Sequence, residues 1–147
     1  MNEGSTIAGQ GDRDDPLARS LRLPCGVAIP NRLCKAAMTE GVADARLFAT
    51  PRHETLYRTW SEGGAGLLLT GNVQVDRDDL ERPGNVAIDR SNPASYSAEA
   101  RDRLARWARA GTVAGNQLWM QISHAGRQAP WYVTRRPRGP SARSEER

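Results

Sequence analysis

AGLLLTGNVQV, residues 65 to 75, opens as an unbroken apolar run without helical period and closes on alternating polar and apolar residues. Such a run marks a strand buried on both faces, as inside a parallel sheet. Just upstream, Thr50-Pro51 offers a cap and a first-turn residue for a helix; Leu56, Tyr57 and Trp60 fall on one of its faces, and Gly63-Gly64 ends it. Downstream, residues 76 to 92 have loop composition. From about Pro93 a second helix is expected, with Tyr96, Ala100, Leu104, Trp107 and Ala108 as its apolar stripe and Glu99 with Arg103, and Asp102 with Arg106, as i, i+4 pairs. LWMQIS, 118 to 123, reads as another buried strand. LRLPCGVAIPNRLCKAAM, 21 to 38, alternates on both sides of Pro24-Cys25-Gly26 like a hairpin, and a strand follows over about 33 to 38. Strand, helix, strand, helix, strand is the signature of an α/β fold with a parallel sheet.

Composition narrows the class. The chain has 147 residues, enough for one ordinary domain. No purely aliphatic run is longer than Leu67-Leu68-Leu69, far short of the roughly 20 apolar residues of a membrane span. The start, MNEGSTIAGQGDRDD, is acidic and polar where a signal peptide needs a basic patch and an apolar block. Cys25 and Cys34 form no CxxC motif, and a reducing cytoplasm is expected. The net charge is +4, but RRPRGPSARSEER, 135 to 147, holds five Arg and two Glu, a net of +3, leaving about +1 for the rest. The excess lies in a tail expected to be disordered, not on a nucleic-acid-binding face.

In α/β folds chemistry gathers at the C-terminal ends of the strands. Those ends are Met38-Thr39-Glu40, Thr70-Gly71-Asn72 and Gln121 to Arg127. A metal shell finds no support in the motifs, since His53 and His124 stand in no HExxH or HxH spacing. Gly63-Gly64-Ala65-Gly66 precedes a strand instead of following one, so it reads as a helix stop and not as a dinucleotide loop. Ser123 adjoins His124, but neighbours on a strand point to opposite faces, which disfavours a nucleophile relay. Gln121 carries both donor and acceptor. It fits either a satisfied core amide or a partner for part of a flavin's pyrimidine edge, whose neighbouring carbonyl Thr39 could meet.

NRLCKAAMTE, EGGAGLLLTGNVQVD, LERPGN and LWMQISHAGRQ together resemble, in order and spacing, the N-terminal part of the old yellow enzyme family of FMN-dependent NADH:flavin oxidoreductases. The resemblance covers about residues 19 to 140. It implies the N-terminal portion of a (β/α)8 TIM barrel with a preceding hairpin at 21 to 30 and about three of eight strands, at 33 to 38, 66 to 73 and 118 to 123. It further implies that Ala37, Met38 and Thr39 line FMN, that Gly71 and Asn72 touch the ring, and that Gln121 bonds its pyrimidine edge. His124, Gly126 and Arg127 become part of the turn after the third strand.

The implied reaction is hydride transfer from NADH or NADPH through FMN to an electrophilic small-molecule acceptor. The family's substrate-gripping pair, proton-donating tyrosine and phosphate-binding loops lie on later strands, so no residue here is assigned a catalytic role. The expected organisation is a disordered lead over 1 to 18, a partial barrel over 19 to 134 and a basic tail over 135 to 147, with family likeness fading from about Gly139. As a truncated fragment, the chain is expected to be inactive alone. The alternative is a non-catalytic half-barrel completed by a partner chain, or a binding protein using its basic tail.

Overall fold

Residues 15 to 139 are described by a computed structural model. The expected N-terminal lead therefore falls outside the described residues over 1 to 14, and the basic tail over 140 to 147.

A small antiparallel hairpin comes first, β1 (Leu21–Arg22) against β2 (Ala28–Ile29), with Leu21 opposite Ile29. Its turn uses Gly26 at φ +90°, a conformation open to glycine at no steric cost. Three parallel strands come next, in sequence order across one sheet: β3 (Cys34–Lys35), β4 (Leu67–Gln74) and β5 (Gln117–Ser123). α1 (Pro51–Glu62) connects the first two and α2 (Ala98–Ala110) the second two. A 3-10 turn, Pro93–Tyr96, precedes α2, and another, Gly126–Gln128, comes after β5.

Both helices start and stop where their residues dictate. Thr50 is extended before α1, Pro51 fills the first turn, and the Thr50 N–H is taken by His53 Nδ1 at 3.1 Å. Gly64, at φ +87°, turns the chain after Gly63 into β4. α2 begins at Ala98 and not near Pro93, because Ser97 stays extended and its hydroxyl accepts the Ala100 N–H at 3.1 Å. Tyr96 is thereby left out of the helix and largely exposed. Ala108, the other end of the expected stripe, is also exposed. Both charge pairs form, Arg103 with Glu99 at 2.7 Å and Arg106 with Asp102 at 3.3 Å.

The core lies between the helices and one face of the sheet, around Ala49, Tyr57, Leu68, Val73, Val86 and Trp107. Tyr57 and Trp107 meet edge to face at 5.2 Å, and His53 packs on Trp107 at 4.6 Å. Residues 76 to 92 lack regular elements, yet they are not a solvated excursion. Leu80, Val86 and Ala87 are buried, and Gln74 exchanges backbone hydrogen bonds with Val86 and Ile88.

Three strand expectations need correction. The strand over 33 to 38 pairs regularly only at Cys34 with Leu67 and Lys35 with Leu68. Beyond that, β4 bulges at Thr70-Gly71, and the Gly71 N–H goes to the Glu40 carboxylate at 2.9 Å instead of to a ladder carbonyl. The strand over 118 to 123 is not buried. Among the described residues β5 is a sheet edge, with Trp119, Met120 and Ile122 exposed, Ile122 to 70%. Nor is β4 buried equally on both faces: Leu68, Thr70 and Val73 face the core, while Leu67 and Leu69 are half-buried.

Candidate functional site at the strand ends

The bulge in β4 organises everything around it. Between Leu69 and Asn72 the register with β5 shifts, and the Thr70 hydroxyl accepts the Gln121 backbone N–H at 2.9 Å while donating to the Gly71 carbonyl at 2.8 Å. A side chain thus replaces a ladder carbonyl, and the extra residue re-aims the end of the strand beyond it, as bulges beside functional sites do. Gly71 has no room for a side chain: a Cβ there would lie 2.5 Å from the Met38 carbonyl oxygen and 2.8 Å from Thr39 Cα. This close approach brings the extended stretch after β3 against the bulge of β4.

Behind the bulge sits a buried polar support. The Gly71 N–H donates to Glu40 Oε1 and to the Tyr57 hydroxyl oxygen, and that hydroxyl in turn donates to Glu40. Burial, then the Glu40 contact and charge, hold the Tyr57 phenol well above its ordinary range. It stays protonated and supplies a fixed donor. Neighbouring His53 is shifted the other way, its pKa lowered by burial.

In front of the bulge a string of hydrogen bonds crosses three strand ends. Thr39 Oγ1 donates to Glu81 Oε2 at 2.5 Å; Asn72 Nδ2 donates to the same oxygen at 2.5 Å; Gln121 Nε2 donates to Asn72 Oδ1 at 2.5 Å. Burial opposes the charge on Glu81, but the hydrogen bonds from Thr39 and Asn72, with Arg82 beside it, hold the carboxyl below its ordinary range. Asn85 fastens the segment: its amide donates to the Asn72 carbonyl at 3.2 Å and accepts the Arg82 N–H at 2.9 Å.

The expected site residues thus divide. Thr39, Gly71, Asn72 and Gln121 come together at adjacent strand ends. Ala37 and Met38 lie on the same extended stretch, Ala37 half-buried and Met38 exposed. Gln121 is exposed, so the reading of it as a satisfied core amide does not hold. Glu81, Asn85 and Tyr57 were not anticipated as site residues, and Thr70 was marked only as part of a strand end. Glu81 and Asn85 sit inside LERPGN, a motif whose chemistry is invisible until the loop folds back over β4.

His124 does not serve Ser123. Its Nδ1 accepts the Gly126 N–H at 3.0 Å, and its Nε2 lies 3.8 Å from the buried Asp79 carboxylate. The fold does gather Asp76, Asp79 and His124 within 4.8 Å of one another, which no sequence spacing announced. Arg138 supplies the counter-charge there, 3.0 Å from Asp76 and 3.9 Å from Asp79. The cluster therefore ties the start of the basic segment to the loop after β4. Among the described residues no helix is long and apolar enough to cross a membrane.

No family model matches the chain. Individual relatives do. It is 38% identical over 112 residues to the NADH-dependent flavin oxidoreductase iliE of Neonectria sp., covering 76% of this chain and 14% of that protein. It is 36% identical over 111 residues to the enzyme of the same name from Hypocrea jecorina, covering 75% and 27%. The fold resembles the old yellow enzyme homologue from Zymomonas mobilis, with a TM-score of 0.70, 23% identity, and coverage of 86% of this chain and 33% of that one. Morphinone reductase gives a TM-score of 0.65 at 17% identity, covering 80% and 28%. The chain spans less than a third of the length of the curated relatives it matches. Its sequence is thus similar to part of the NADH-dependent flavin oxidoreductases. Its three parallel strands and two helices match part of the (β/α)8 barrel fold seen in the old yellow enzyme homologue.

Proposed function

We propose that residues 37 to 39, 71 to 72 and 121 form one wall of an FMN site in an old yellow enzyme type oxidoreductase. The observation that carries this reading is the hydrogen-bond string joining Thr39, Glu81, Asn72 and Gln121 across three neighbouring strand ends. In barrels of this architecture ligands lie at that face. The donor set suits the group: Gln121 is an exposed primary amide whose Nε2 is engaged by Asn72 and whose Oε1 faces no partner among the described residues. An imide edge such as the flavin pyrimidine offers an N–H to such an oxygen.

The chemistry bound FMN supplies is two-electron transfer from NADH or NADPH to an electrophilic small molecule. The chain's own part is to position. The bulge sets the height of Gln121, Gly71 lets the stretch after β3 come close, and the Tyr57 and Glu40 support fixes the Gly71 N–H. Nothing in this wall moves a proton to a substrate; that role would fall to residues on other strands. Free, exposed Cys25 and Cys34 accord with a reducing cytoplasm.

An FMN titration of the purified chain, taken to millimolar concentration and read by flavin fluorescence, tests the reading. Weak saturable binding that Gln121→Ala reduces about tenfold or more is expected, since one lost hydrogen bond into a partly desolvated site is worth about that factor. Binding indifferent to Gln121→Ala, or none at all, would contradict it.

A second reading rests on the exposed edge. β5 presents Trp119, Met120 and Ile122 together with a row of backbone groups that no strand among the described residues pairs, a surface that in a closed barrel is covered by the next strand. On this reading the half-barrel is completed by further strands on a complementing chain. Slowed hydrogen exchange along β5 on mixing with such a chain would support it, and unchanged exchange would exclude it.

A further inference from the structure

Resting on the flavin reading above, we infer that Glu81 is a positioning residue: as an acceptor-only anion it fixes the direction of every hydrogen bond in the string and turns the Gln121 carbonyl oxygen toward the ligand. The step from Glu81 to Gln121 is forced by donor and acceptor chemistry. An ionised carboxylate only accepts, so Thr39 must spend its single hydroxyl hydrogen on Oε2, and Asn72 must present Nδ2 there. Asn72 Oδ1 then points the other way, toward Gln121, which must answer with Nε2. Gln121 Oε1 is left outward. Without the anion, both amides could turn over together, and Gln121 could present a donor as readily as an acceptor.

One consequence distinguishes this from a loop carboxylate that merely packs: the site should select a ligand edge with an N–H, because its outward group, Gln121 Oε1, is an acceptor.

The surroundings of Glu81 are countable. Thr39 reaches it from the stretch after β3, Asn72 from β4 and Asn85 from its own loop. Arg82 is the charged neighbour, with Nη2 3.4 Å from Oε1, and Gln128, Pro130 and Tyr132 line the open cleft beside Glu81 and Arg82. Glu40 is turned away, to Tyr57 and Gly71. Among the described residues, then, one carboxyl controls the string.

The test uses the whole chain with 15N-labelled Asn and Gln, the Asn72 and Gln121 side-chain NH2 signals being assigned by single substitution. On acidification the two pairs should shift together with one common midpoint, and Glu81→Ala should abolish the shift while backbone signals of α1 and α2 stay in place. Separate midpoints, or a shift surviving in Glu81→Ala, would overturn the inference. Lumiflavin and its N3-methyl analogue provide the ligand arm. The methylated compound should bind about tenfold more weakly to the native chain, and the difference should shrink in Glu81→Ala. Equal binding to the native chain would overturn the selection claim. If neither flavin binds, the flavin reading fails while the amide titration still decides the role of Glu81.

Discussion

In the proposed flavin wall Gln121 and Glu81 divide the chemistry: one would meet the ligand, the other would decide which of its atoms does so. The residue that reports on the integrity of the support is His53. Its Nδ1 accepts the Thr50 N–H, which requires the neutral ring, and burial against Trp107 lowers its pKa from the ordinary 6.5. The folded state therefore binds fewer protons than the unfolded one in the window below 6.5, and stability rises with pH there. The contribution is fully present above the unfolded value and is lost as pH falls toward the lowered folded one. Denaturant unfolding tracked from about pH 7.5 to about pH 5.5, above the range of ordinary carboxylates, should show stability falling with acidification. His53→Gln keeps an acceptor at the third helical position and should flatten that slope. An equal slope in the variant would place the titration elsewhere.

Among the elements, β4 decides the site, and its bulge was not legible in AGLLLTGNVQV. The apolar run announced a central parallel strand, and the strand is there over Leu67–Gln74. What the run could not announce is that Thr70 lends its hydroxyl to β5, because that depends on a partner 51 positions away. Gly71 was visible as a residue; the reason for it, the Met38 carbonyl 2.5 Å from where a Cβ would stand, was not. Gly71→Ala should destabilise the fold by about 1–3 kcal/mol, the usual cost of overpacking, and should displace Thr39 and Asn72 together. Thermal unfolding and the backbone shifts of those two residues measure this. A neutral substitution would mean that the close approach is not structural. The same limit explains α2, whose periodicity was legible while its start was decided by the extended Ser97. It also explains β5, whose apolar residues are real but, among the described residues, uncovered.

At the scale of the whole molecule, three parallel strands and two helices hold a coherent wall but not a closed barrel, for which eight strands are needed. Motif order alone was enough to suggest that architecture, and the likeness to old yellow enzyme barrels bears it out. Thr39, Gly71, Asn72 and Gln121 could be picked out because they end strands. Glu81 and Asn85 could not, since they reach the site from a loop with no periodicity to place it. A single open wall has few contacts to offer, so FMN should bind this chain far more weakly than a closed barrel would hold it. Weak binding is still specific in place, and that is what can be measured most directly. Heteronuclear NMR of the uniformly 15N-labelled chain, titrated with FMN to millimolar concentration, should shift the backbone signals of Thr39, Gly71 and Asn72 and the side-chain amide of Gln121, all along one saturation curve. Signals at these strand ends that stay fixed while others move, or a spectrum that does not change at all, would contradict the assignment of this face as a flavin wall.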